Sequence, residues 1–388
     1  MIPDSGYEYL MDNTEYFERF GIVLNDRVVR TPVAIASMAG WVDGEYVVAR
    51  KDHVGAAFIG GYSIDGPAIQ ASHEMVRQGR KEFISDDPLT DIAHQIRLIE
   101  ETDVICGVNL RGGAPESYQA VAREFGSRII YEIDAHCRQE PMVQAGCGEH
   151  FLHNPEALVG TVKALKQENV TVSVKIRAGV HRDDRALAAD LWHAGADILH
   201  VDLMDFGYQK VRQIRNSCPL ILIANNSINT FERMKEMLSH GADMVSLARK
   251  SDERTLAGLD AAITRYADEH GWYNSPKQLC RGGDLRALAF CCMPVKNCPL
   301  IPTLERAGLT REEYVAIKMD AVKGTKLEEG KQTCFGSLSW CCKDSSPCMF
   351  RNLTLRQAGV SNQEYMRLKR ELANTLIKRL FRDNNDPC

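Results

Sequence analysis

No apolar run in the sequence comes near the roughly 20 residues a membrane span needs. Its opening, MIPDSGYEYLMDNTEY, lacks the basic-then-apolar order of a secretory leader. Positive charge is not in excess either: 47 Lys and Arg face 52 Asp and Glu, a formal charge of -5. That leaves no chain-wide basic field for gripping nucleic acid. No Gly-x-Gly-x-x-Gly follows the first β-like run, which argues against an open dinucleotide-binding sheet. Cys-x-x-Cys is missing as well, so neither ferredoxin nor zinc-ribbon spacing applies. A soluble, cytoplasmic protein is expected.

The chain has 388 residues, enough for a barrel of about 250 residues and a further module. FGIVLNDRVVRT reads as two short strands meeting at Asn25-Asp26, a hairpin. Eight strands are then expected at Pro32–Ser37, Ala56–Gly60, Asp103–Asn109, Arg128–Asp134, Thr171–Ile176, Asp197–Asp202, Leu220–Asn225 and Asp243–Leu247. Helical patterns such as DPLTDIAHQIRLIEE and TFERMKEMLSHG fall between several of them. Alternation of this kind predicts an α/β fold, a TIM (β/α)8 barrel over residues 1–272. Residues 273–388 are expected to form a C-terminal, cysteine-rich, mainly helical duplicated module. In such a barrel the loops after the strands carry the chemistry.

The centre of the chemistry is the stretch from Glu132 to Gly179, a strand–loop–helix–strand unit. It holds His136-Cys137-Arg138, then Gly146-Cys147-Gly148-Glu149-His150-Phe151-Leu152, Asn154-Pro155 and Val174-Lys175-Ile176-Arg177. In this order and spacing it resembles the tRNA-dihydrouridine synthases, barrel enzymes that use FMN. Their pattern is Gly-Cys-Pro, Gly-x-Gly-x-x-Leu-Leu, Asn/Asp-Pro and Val-Lys-Ile-Arg. His136 and Arg138 stand where that family has Gly and Pro.

The resemblance implies that Cys137 donates a proton to the uracil ring while reduced flavin gives hydride to the neighbouring carbon. On residues alone, a buried loop cysteine is also a good apolar filler. Met38, Ala39 and Gly40, in the turn after the first barrel strand, and Lys175 match positions that touch the flavin. Asn109 stands in place of a flavin-contacting glutamine, and Asp202 in place of the family's usual histidine. His200 lies two residues earlier and need not take that role. At the phosphate end the family has Asn-Gly-Asp-Ile and then Gly-Arg. This chain has Asn225-Asn226-Ser227-Ile228 and Ala248-Arg249. Asn tolerates the left-handed backbone that glycine would supply, and Arg249 is placed to clamp a phosphate.

Nine of the 13 cysteines lie from Cys280 onward, in a segment that repeats itself. One copy is Cys280, Cys291, Cys292 and Cys298 followed by LERAGLTREEYVAIK; the other is Cys334, Cys341, Cys342 and Cys348 followed by LRQAGVSNQEYMRLK. Four thiolates per copy suit one cubane 4Fe-4S cluster, two in all, or one tetrahedral zinc, with disulfides the third option. The basic face of the last helix (Arg367, Lys369, Arg370, Lys378, Arg379, Arg382) reads as a solvated surface in a chain of acidic total, with a local RNA or acidic-protein contact as the alternative.

The whole chain is similar to the methanogenesis marker protein 9 family, a synthase-like barrel with a cysteine-rich tail. That resemblance implies an anaerobic cytoplasm and no particular substrate. The expectation is an FMN-dependent oxidoreductase with Cys137 and Asp202 as catalytic residues. An electron donor such as reduced ferredoxin would feed the clusters, with tRNA or a methanogenesis protein as partner. Two alternatives stay open: a barrel that only scaffolds or relays electrons, and a zinc-stapled binding module.

Overall fold

The computed structural model describes residues 19–20, 22–25, 27–215, 217–218, 220–270, 309–324 and 359. The two short strands β1 (Val23–Leu24) and β2 (Arg27–Val28) pair antiparallel, with Asn25 at φ +48 in the turn. Asn25 ties this hairpin to the barrel: its Nδ2 donates to Ser127 O at 2.7 Å, and its Oδ1 accepts from Thr171 Oγ1 at 2.8 Å. Both partners lie at the N-terminal ends of strands, so the hairpin covers the lower end.

Eight parallel strands then close on themselves: β3 (Val33–Ile35), β4 (Ala56–Ser63), β5 (Ile105–Arg111), β6 (Ile130–Ala135), β7 (Thr171–Arg177), β8 (Ile198–Asp202), β9 (Ile221–Asn225) and β10 (Met244–Leu247). Each overlaps its expected range. Apolar side chains of the strands pack with those of the surrounding helices into one continuous core. Burying this apolar surface is the dominant favourable term in the fold. The helices include α1 (Gly44–Val48), α2 (Gly66–Arg77), α3 (Pro88–Glu100), α4 (Pro115–Phe125), α5 (Glu140–Gln144), α6 (His150–His153) and α7 (Pro155–Lys166). They continue with α8 (Asp184–His193), α9 (Gly207–Arg215), α10 (Phe231–Ser239) and α11 (Glu253–His270). Two of these begin on a side-chain cap followed by proline in the first turn, Asp65 and Pro67 for α2 and Asp87 and Pro88 for α3.

Strand ends shift by up to three residues from their expected places, and β4 runs on to Ser63 rather than stopping at Gly60. β5 runs on to Arg111 rather than stopping at Asn109, because Leu110 and Arg111 keep pairing with Tyr62 and Ser63 of β4. A charged residue signals a loop in the sequence, but here the arginine is buried among carboxylates.

Beyond the barrel, α12 (Arg311–Val322) opens with a full capping box between Thr310 and Glu313. Tyr314 on this helix is buried within the barrel's core cluster, with Leu309 and Ile317 packed at its side. So one helix of the first tail repeat is fastened to the barrel. The eight tail cysteines from Cys280 to Cys348 and the helix of the second repeat lie outside the described residues. No helix among the described residues is long and apolar enough to cross a membrane.

Candidate active site

The C-terminal mouth of the barrel gathers polar side chains from most of its strands, and parallel register decides which ones meet. Asp134 on β6 pairs with Lys175 on β7, and Arg177 on β7 pairs with Asp202 on β8. His136, just past β6, therefore lies within reach of Arg177 and Asp202.

Lys175 is buried at 4% exposure, and its Nζ donates to Ser37 Oγ at 2.9 Å and Ser37 O at 3.3 Å. Among the described residues no carboxylate comes within ion-pair distance, and one of its hydrogens has no acceptor. The turn it faces is Met38, Ala39 and Gly40, all partly exposed. Gly40 has φ +70, and a Cβ there would sit 2.6 Å from the Lys81 carbonyl carbon, so no larger residue fits. Trp41 follows it, exposed, with Lys81 Nζ 3.9 Å from the ring centre. Phe206 is also exposed, after β8, and packs on Gly179.

Asn109 points into the lumen. Its Nδ2 donates to Glu132 Oε1 at 2.9 Å, and Glu132 Oε2 contacts His200 Nδ1 at 2.7 Å and accepts from Ser173 Oγ at 3.1 Å. His200 Nε2 meets Ser246 Oγ at 2.7 Å, and Asn225 Nδ2 donates to Ser246 O and Oγ, both at 2.9 Å. A chain of polar groups thus crosses the barrel beneath the mouth, from Asn109 to Asn225. Burial would raise the Glu132 carboxyl, but His200, Lys175 and Asn109 bring it below its ordinary value. Burial pushes the His200 imidazole down. Glu132 is thus a carboxylate held between His200, Asn109 and Ser173, with Lys175 as the nearby cation.

The turn after β9 carries two consecutive positive-φ residues, Asn226 at +90 and Ser227 at +57. Asparagine thus takes the left-handed conformation expected of it, and the exposed turn lies beside Ala248 and the exposed Arg249 after β10. Successive amides in such a turn, beside an arginine, make an anion cradle.

Cys137 sits at 7% exposure in a small apolar cluster with Ala68, Ala71, Met75, Met142 and Cys147. Gly148 lies tight against its backbone: a Cβ there would fall 2.1 Å from Cys137 O. Burial pushes the Cys137 thiol up, against the pull of Arg111. Asp134 Oδ1 accepts from the backbone N–H groups of both His136 and Cys137 at 3.0 Å, while Oδ2 accepts from Arg111 Nε at 2.8 Å. Arg111 Nη1 also donates to Glu82 at 2.6 Å.

Asp202 meets His136 Nε2 at 2.7 Å through Oδ2 and accepts from Met204 N–H at 3.1 Å through Oδ1. Burial opposes it, but the His136 hydrogen bond, the charges of His136 and Arg177 and the Met204 amide lower the Asp202 pKa to about 2. The sequence singled out neither this pairing nor Arg111 and Glu132. Their only signal was a charged residue inside or beside an apolar strand.

Residues 100–256 match the family model for "Dihydrouridine synthase (Dus)". The chain is 49% identical over 108 residues to "Uncharacterized protein MJ0115" of Methanocaldococcus jannaschii, covering 28% of this chain and 70% of that one. It is 31% identical over 231 residues to "Uncharacterized protein MJ0144" of the same organism, covering 56% of this chain and 88% of that one. Among solved structures, a FabK mutant from Thermotoga maritima is similar over 61% of this chain and 64% of its own length, just under two thirds, with a TM-score of 0.38 and 16% identity.

Proposed function

The chain belongs to one family with these two archaeal proteins, and from that premise and the dihydrouridine synthase match we propose an FMN-dependent, dihydrouridine-synthase-like oxidoreductase. Lys175 carries the reading: a buried amino group at the barrel mouth with a hydrogen to spare and, among the described residues, no carboxylate within ion-pair distance. Such a group suits the acceptor-rich edge of a flat ring. Ala39 and Gly40, which follow Met38, offer a floor with little side chain in the way. Asn226, Ser227, Ala248 and Arg249 would take the phosphate, with Asn225 bracing their turn from below. Asn109 would steady the ring end through its bond to Glu132.

FMN, when bound, supplies a hydride to an unsaturated carbon. The protein's own task is then to place a flat substrate over the mouth and deliver a proton. Exposed Trp41 and Phe206 would hold the ring by stacking. The loop after β6 brings the groups able to supply a proton, Cys137 and the pair of His136 with Asp202. The rest of the proposal is that electrons enter through two iron–sulfur clusters on the eight tail cysteines, fed by a small reduced carrier such as a ferredoxin. The setting is methanogen metabolism, which the Methanocaldococcus relatives and the marker protein 9 resemblance support.

FMN titration followed by quenching of flavin fluorescence tests the core of this reading. Wild type should bind, and Lys175→Met should weaken binding at least tenfold, about 1.4 kcal/mol. A wild-type protein that leaves FMN fluorescence unchanged rules the flavin reading out.

A further inference from the structure

His136 is held through both its ring and its backbone. Its Nε2 is 2.7 Å from Asp202 Oδ2, its backbone N–H donates to Asp134 Oδ1 at 3.0 Å, and its carbonyl accepts from Arg177 Nη2 at 3.4 Å. Arg177 is itself anchored 3.0 Å from Glu149 through Nε. Asp202 is ionised, hence an acceptor only, so a contact this short requires the hydrogen on Nε2. Arg177 Nη2, at 3.3 Å from the same nitrogen, is then better satisfied by the His136 carbonyl. Among the described residues nothing bonds Nδ1. The ring is about a quarter exposed, at the mouth. Cys137, its neighbour in sequence, is turned into the cluster formed by α2 and α5 side chains.

On the flavin reading above, we propose that Nδ1 of His136, not the Cys137 thiol, is the proton donor, and that Asp202 is its positioning residue. The substrate class is a ring with a carbon–carbon double bond conjugated to a carbonyl. That bond gains a hydride at one carbon, from reduced flavin, and the Nδ1 proton at the other. The Nδ1–H bond breaks as the new C–H bond forms, the substrate is reduced by two electrons and the flavin oxidised by two. His136 is left neutral with its Nε2–H on Asp202, and solvent restores the Nδ1 proton. The residue at 136 and the residue at 202 are both departures from the synthase pattern, and the fold puts them in contact.

The test uses the full chain loaded with FMN, as wild type and as His136→Gln, Cys137→Ser and Asp202→Asn. Each is photoreduced without oxygen and mixed with cyclohexenone, and flavin reoxidation is timed. His136→Gln should still bind FMN but slow reoxidation ~100-fold, the size of a lost general acid, and by more than Cys137→Ser does. A second readout needs no turnover: NMR of isotope-labelled histidine should find the neutral His136 ring protonated on Nε2, and Asp202→Asn should shift hydrogen toward Nδ1. A bare Nε2 in the wild type overturns the assignment, as does a larger loss at Cys137→Ser. If FMN binds but cyclohexenone is not reduced, flavin binding stands and the donor assignment falls. If FMN does not bind, the flavin reading falls first and the assignment with it.

Discussion

Asp134 joins two structures that have different work. One carboxylate oxygen fixes the backbone of the His136-Cys137 loop, and the other holds Arg111 across the β5–β6 boundary. Burial alone would raise its pKa, but Arg111, His136 and Lys175 bring it down to about 2. Because the folded value lies below the ordinary value of about 4, its stabilisation is complete above that pH and fades as pH falls toward 2. Asp134→Asn should cost about 3 kcal/mol at neutral pH, since Arg111 keeps its burial and loses half its countercharge. The gap to wild type, measured by urea unfolding, should narrow as the buffer is taken from about pH 5 to about pH 2. A gap that stays constant would mean that Asp134 is not held ionised by its neighbours. His136 and Asp202 show why residues like these were hard to read. They are 66 positions apart, and only the closure of β6, β7 and β8 side by side brings them to 2.7 Å.

Whole elements were far more legible. All eight barrel strands overlap the stretches marked by apolar runs and turn residues, and the Asn25 hairpin forms as its sequence suggests. Strand periodicity is a local property, so it survives without tertiary information. What periodicity misses is a polar residue that a strand turns into the barrel, as with Glu132, His200 and Arg111. The helix α12 shows the same limit at larger size. Its capping box is plain in the sequence as Thr310 and Glu313, but nothing there says that Tyr314 enters the barrel's core. Thr310→Ala should cost about 1 kcal/mol and Tyr314→Ala about 3 kcal/mol or more, both measured by denaturant melts. If Tyr314→Ala leaves barrel stability untouched, the helix is not fastened there.

For the molecule as a whole, the uneven placing of cysteine separates two kinds of chemistry. Cys106, Cys137, Cys147 and Cys218 are buried free thiols of the barrel, and the two fourfold sets belong to the tail. Protein purified without oxygen should carry about eight iron atoms per chain, four for each cubane cluster. Replacing Cys291 and Cys292 should remove about half of them. Metal analysis that finds zinc and no iron would favour the stapled binding module. The tail is also where the sequence says most and the described residues say least, since among them α12 is the one tail helix, packed on the barrel core. At the opposite end the hairpin at Asn25, bonded to Ser127 and Thr171, closes the lower rim. With the foot of the barrel covered there, the exposed side chains Trp41, Phe206 and Arg249 stand at the other rim. On the flavin proposal, a ring to be reduced and a carrier that recharges the flavin would share that rim, so the two would come and go in turn.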